Sequence, residues 1–242
     1  MKTHRHIFAV LAISACAGCA RKPAAPALHA TAYGTALVES SGGKQLGFVG
    51  SALPQPIVVQ VNDKKGNAVT GALVFFSGPA GVNFDPVQAL TDSSGQVTAQ
   101  VTLGGTSGSY ELTATSAGQA GNSFVLSLTE LAAGYQQRLG SELDQKYCAR
   151  CHDPESSPQR VSNYDNLSVK PHAFSEGDTL NKLSDSDLVA IVGHGGQSMN
   201  RSALMPPYGA TLSKDEMQAL IAYIRLVSDP PYRLPGVVYA KQ

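Results

Sequence analysis

The chain has no tryptophan, only four cysteines, and charged residues at 15%, below the usual quarter. Its formal net charge is zero. Nucleic-acid binding needs a strong basic footprint, so this balance argues against a nucleic-acid partner. The cysteines fall in two pairs, Cys16/Cys19 and Cys148/Cys151. Two residues separate the members of each pair, a spacing poor for structural disulfides and good for modification chemistry. Long apolar runs are also missing. The one near the start, Ile7 to Ala15, is too short to span a bilayer as a mature helix. What is abundant is glycine, 24 residues in 242, together with small polar residues. That composition reads as a secreted, β-rich protein with short turns. The length suits one large or two small domains.

The first twenty residues have a basic start, Lys2 and Arg5, then the short apolar run, then small residues before a cysteine. This arrangement resembles a bacterial lipoprotein signal, in which the cysteine becomes the lipidated first residue. Two registers compete. Ile13-Ser14-Ala15-Cys16 has an aliphatic residue three before the cysteine. Cys16-Ala17-Gly18-Cys19 ends in an equally small pair but puts Cys in the aliphatic slot. Ordinary cleavage without lipid is the third alternative. Removing residues 1–18 takes away two basic residues and no acid, leaving 16 basic against 18 acidic, or −2. Residues 19–32 form an Ala/Pro-rich linker that reads as a tether. The resemblance implies the periplasmic side of a bacterial membrane, or the cell surface, with the chain held by its N-terminal lipid.

Residues 33–130 alternate with period two between turn signals. Strands are expected at 57–61, 72–76, 97–103, 110–115 and 123–128. Strands at this spacing with glycine turns indicate a β-sandwich. Asp63, Asp85 and Asp92 read as turn acids that cap their own backbone, with a calcium site as the alternative. Leu53-Pro54-Gln55-Pro56-Ile57-Val58-Val59, Val61-Asn62-Asp63, Gly66-Asn67-Ala68-Val69-Thr70-Gly71 and Thr91-Asp92-Ser93-Ser94-Gly95 resemble the bacterial Ig-like domain of the invasin and intimin type. That resemblance implies a fold and a spacer or adhesive role, not a chemistry.

Residues 131–229 change character. Helix formers lead into Cys148-Ala149-Arg150-Cys151-His152, the C-x-x-C-H haem attachment signal. On a helix, positions i and i+3 share a face, so both thiols reach one porphyrin edge, and the histidine follows over the iron. A zinc site lacks a matching fourth ligand, and a thioredoxin-like pair lacks its βαβ context. The iron then takes a second axial ligand or keeps an open site. Met205 is followed by Pro206 and Pro207, which hold the chain extended and stop a helix. Met199, His194 and His172 are the competing ligands.

The attachment motif, the Met-Pro-Pro loop and a closing helix together resemble class I monohaem cytochromes c. The resemblance implies one covalent haem c with iron, bound through Cys148 and Cys151, with His152 proximal and Met205 distal. It also implies redox protein partners, either a soluble carrier or a membrane respiratory complex. Nothing in the sequence bears on oligomeric state.

Ser213 and Glu216 form a capping box opening the last helix, and Ser184 caps an earlier one. Gly140 sits where the family's first and last helices cross, but Asp144 stands where the family has an aromatic. The other N–H of His152 needs an acceptor. A carbonyl between Asp153 and Pro158 is the expected one. Arg160, Tyr164 and Arg201 are candidates to pair with haem propionates. Residues 230–242 form a tail without a clear period.

The expected fold is therefore multidomain, an all-β Ig-like sandwich followed by an all-α class I cytochrome c domain. The expected function is single-electron transfer without substrate turnover of its own. The alternatives are a haem enzyme subunit or sensor with a labile distal ligand, and a surface protein acting through the Ig-like domain.

Overall fold

The computed structural model describes residues 28–119, 121–157 and 160–235. The signal, Cys16, Cys19, most of the linker, Pro158 and the end of the tail lie outside the described residues.

Among the described residues nine strands make two sheets. They are β1 (Ala36–Ser41), β2 (Leu46–Phe48), β3 (Ile57–Asn62), β4 (Leu73–Ser77), β5 (Asn83–Asp85), β6 (Gln88–Leu90), β7 (Gln96–Thr102), β8 (Gly108–Ala117) and β9 (Ser123–Ala133). One sheet runs β1-β3-β7-β5 and the other β2-β9-β8-β4-β6. Alternation decides which residues face inward. Ile57, Val59 and Val61 of β3 are buried against Val74 and Phe76 of β4 and Leu112 and Ala114 of β8. Each large aliphatic removed from water contributes roughly 1.5–3 kcal/mol, so the core holds without a disulfide. Strands β1, β2, β5 and β6 lie outside the segments where strands are expected. They carry little alternation and are defined by the strands they pair with.

Asp63 and Asp92 cap their own turns. Asp63 Oδ1 accepts from the Lys65 and Asn67 amides, and Asp92 Oδ1 from those of Ser94 and Gln96. Among the described residues no group of three or more His, Cys, Asp or Glu would hold a metal ion.

Glu130 on β9 is fully buried. Its Oε2 accepts from the Gln45 amide at 2.6 Å, while Oε1 has no partner. Burial pushes its carboxyl up to about 7, against the pull of the Gln45 amide, and nearby Glu39 adds to the rise. A folded-state value raised above 4.5 gives stability that is present below that pH and lost as pH rises through about 7. Glu130→Gln keeps an acceptor for the Gln45 amide and removes the charge. Denaturant unfolding of the full chain should then lose less stability between pH 4.5 and 7.5 than the native chain does. An unchanged pH dependence would refute this.

The last strand runs to Ala133, three residues past the expected boundary, and only Gly134 separates it from the first helix. The helices are α1 (Tyr135–Tyr147), α2 (Ala149–His152), α3 (Gly177–Leu180), α4 (Asp185–Ser198) and α5 (Lys214–Val227). The guanidinium of Arg138 on α1 sits 4.7 Å above the Phe48 ring of β2, joining the helices to the sandwich. Both expected caps form. Ser213 pairs reciprocally with Glu216, and Ser184 with Asp187. The helix crossing is as close as the glycine suggested. A Cβ on Gly140 would lie 2.1 Å from the Ala219 carbonyl oxygen. The start of the tail packs back on this domain, with Tyr232 under the Arg225 guanidinium at 3.9 Å.

Candidate functional site

The apolar stripe of α1 sets Leu143 into the helical core and ends at Cys148, whose amide donates to the Asp144 carbonyl at 2.8 Å. The chain then makes one more turn. The amides of Cys151 and His152 both donate to the Cys148 carbonyl, at 2.9 and 3.0 Å. The two thiols are therefore one helical turn apart and open on one cavity. Both are free. Burial first, then Asp144 and Cys151, pushes the Cys148 thiol up to about 12. It is a neutral thiol in its own environment.

The cavity holds about 390 Å³, within the range of cofactor sites. Its walls are apolar, from Phe174, Leu180, Leu188, Val192 and Ile224, and Cys148, Cys151, His152 and Met205 all line it. Among the described residues the four site residues expected in this domain thus share one space.

His152 Nδ1 lies 2.8 Å from the His172 carbonyl oxygen. A carbonyl can only accept, so Nδ1 carries the proton and Nε2 keeps its lone pair. Burial lowers the basicity of the imidazole, partly opposed by the His172 carbonyl, so it stays neutral, as an iron ligand must be. The Phe174 ring centroid sits 4.8 Å from the imidazole and fixes its tilt. The acceptor is a correction to the expectation of a carbonyl between Asp153 and Pro158. Asp153 in that segment is already engaged. The Asp153 carbonyl accepts from Ser162 Oγ, and its carboxylate accepts from the Glu155 amide and pairs with Arg160.

Met205 is half-buried, and its loop is clamped to the end of α4. The helix breaks at Gly195, with φ +77°. The Gly196 amide donates to the Met205 carbonyl at 3.0 Å. The Tyr208 amide donates to Val192 at 3.0 Å, and its hydroxyl reaches the Tyr147 carbonyl at 3.0 Å, beside the attachment motif. The competing ligands are placed elsewhere. His194 and Met199 are exposed and do not line the cavity. His172 lines it, but its carbonyl stands behind the His152 ring and its Nδ1 binds Glu176 at 2.7 Å.

Of the three candidate propionate partners, Arg201 lines the cavity, while Arg160 and Tyr164 do not. Lys170, which lines it too, carried no sequence signal. Nor did the His172 carbonyl, twenty residues from its partner. The glycine cluster at 193–196 was the one available hint of the Met205 clamp.

Two thiols, a neutral imidazole with a free Nε2 and a thioether around one apolar cavity fit haem c with iron, and the domain is a cytochrome c domain that binds haem and transfers electrons. Residues 136–224 match the family described as cytochrome C oxidase, cbb3-type, subunit III. The chain is thus a β-sandwich domain followed by a cytochrome c domain. Solved structures similar to the sandwich include the D00-D0 domain of intimin, with 15% identity and TM-score 0.30, covering 39% of this chain and 45% of that one. Invasin, a bacterial integrin-binding protein, shares 19% identity at TM-score 0.30, covering 40% of this chain and 19% of that one. An adhesin of Yersinia pseudotuberculosis shares 17% identity at TM-score 0.30, covering 39% and 30%. The chain spans less than half the length of each. No curated protein matches the chain.

Proposed function

We propose that this protein is an exported, membrane-tethered cytochrome carrying one haem c, which exchanges single electrons with a soluble carrier or a membrane respiratory complex. Cys148 and Cys151 form the thioether links, and His152 and Met205 are the proximal and distal iron ligands. The observation that carries this reading is the shared cavity. Cys148, Cys151, His152 and Met205 line one largely apolar space. Haem c held there supplies a one-electron couple.

The protein's own residues then do the rest. The His172 carbonyl keeps His152 in the tautomer that leaves Nε2 free. The Gly196 amide and the Tyr208 hydroxyl brace the two ends of the Met205 loop, holding the thioether in place. With His152 and Met205 both holding the iron, no position would be left for a substrate, and outer-sphere electron transfer is the chemistry the group would supply. The signal-like N-terminus supports export, with a lipid on Cys16 or Cys19 and the sandwich as spacer from the periplasmic or outer face of a membrane. Among the described residues no helix is long and apolar enough to cross a membrane, which is consistent with attachment through the N-terminus.

The full chain expressed with haem attachment machinery should keep haem through denaturing electrophoresis. Cys148→Ser with Cys151→Ser should lose essentially all of it. Haem that survives in the double variant, or never binds the native chain, sinks the proposal. Mass spectrometry of the mature N-terminus tests the lipid.

A further inference from the structure

Asp144 is the charged side chain at the crossing of α1 and α5, and it is 5% exposed. It lies one helical turn before Cys148, about 6 Å along the axis, and close enough for its charge to act on the Cys148 thiol. The groups facing it are the Tyr223 hydroxyl from α5, and Arg160 and Asp153 from the segment after α2. Gln145 beside it donates weakly at 3.5 Å. Arg160 spends one nitrogen on Asp153 and the Glu155 carbonyl, and its Nε and Nη1 are buried without partners. Among these groups one cation, Arg160, stands against two carboxylates, Asp144 and Asp153, so the cluster is incompletely compensated.

We propose that Asp144 is a proton-binding site linked to electron transfer: its carboxyl takes one proton from solvent as the haem iron takes one electron, and releases it on oxidation. This rests on the electron-transfer reading above. Ferric haem carries one more positive charge than ferrous haem, and a nearby positive charge favours the carboxylate. Removing that charge favours the acid, and a buried helix crossing screens the interaction less than water does. Burial, with Asp153 adding and Arg160 and Tyr223 opposing, already pushes the Asp144 carboxyl up to about 7, so both forms are accessible near neutral pH.

The test is a spectroelectrochemical titration of the haem-loaded full chain between pH 5 and 9, with infrared difference spectra of reduced minus oxidised protein. The native potential should fall as pH rises through the neutral range, and a protonated-carboxyl band should appear on reduction. In Asp144→Asn the slope should flatten and the band should vanish. A pH-independent native potential overturns the proposal, as does a slope that persists in Asp144→Asn, since another group would then bind the proton. If that variant fails to fold, Asp144→Glu decides: the band must shift in frequency with the longer side chain, and an unmoved band overturns the assignment. Absence of any reversible haem couple in the native chain would instead overturn the electron-transfer reading, and this proposal with it.

Discussion

Met205→Ala is expected to leave haem attached while lowering its potential by a few hundred mV, out of the roughly 0.8 V that axial ligands span. Attachment survives because it is made by Cys148 and Cys151, not by the distal side. The potential falls because a thioether favours ferrous iron, and water or an open site does not. Three signs should appear together in the full haem-loaded chain. The methionine-to-iron charge-transfer band should disappear, carbon monoxide should bind ferrous protein quickly, and the midpoint should drop. The same change at Met199, which is exposed and outside the cavity, should alter none of them. If Met205→Ala keeps the native band and potential, Met205 is not the ligand. If native protein already binds carbon monoxide fast, the site is open and the chain is better read as a sensor or enzyme subunit.

The second large effect is expected from a residue that touches no iron. In Gly196→Val the new Cβ would lie 2.1 Å from the Ser202 carbonyl oxygen and 3.3 Å from Met205 Cβ. A backbone oxygen cannot be pushed aside as a flexible side chain can. The loop must move, and the Gly196 amide, which donates to the Met205 carbonyl, moves with it. The variant should lose the methionine band while keeping attached haem, and unfold with about 3 kcal/mol less stability, the upper part of the usual range for overpacking. Gly193→Ala is the control. A Cβ there meets nothing within 4 Å, and alanine is the better helix former by about 1 kcal/mol. It should be neutral or slightly stabilising, with an unchanged spectrum. Equal damage from both substitutions would show that the glycines serve only helix flexibility.

The pair also marks where sequence reading stops. Gly193, Gly195 and Gly196 look alike in a list of residues. One tolerates a side chain, one breaks the helix at φ +77°, and one is pressed against a loop carbonyl. The difference is made by residues six to twelve positions further on. His152 shows the same limit. Its place after two cysteines is a local pattern, but its proton is fixed by a carbonyl twenty residues away. The nearer carbonyl of Asp153 is engaged with Ser162.

Local chemistry was legible. The i, i+3 spacing of Cys148 and Cys151, the reciprocal pair Ser213–Glu216, the N-cap Ser184, the long alternating strands and the proline-framed Met205 each depend on neighbours within a few residues, so the sequence by itself determined them. The place of Gly140 at the helix crossing came from the family resemblance, and the structure shows why it must be glycine: a Cβ would lie 2.1 Å from the Ala219 carbonyl oxygen. The tertiary structure alone decided the pairing strands β1, β2, β5 and β6, the His172 carbonyl behind His152, the clamp on Met205, and the burial of Asp144 beside Tyr223 and Arg160. These arise where segments distant in the chain close on one another. Their energies come from burial and from pairing across that gap, and no period or spacing along the chain encodes either.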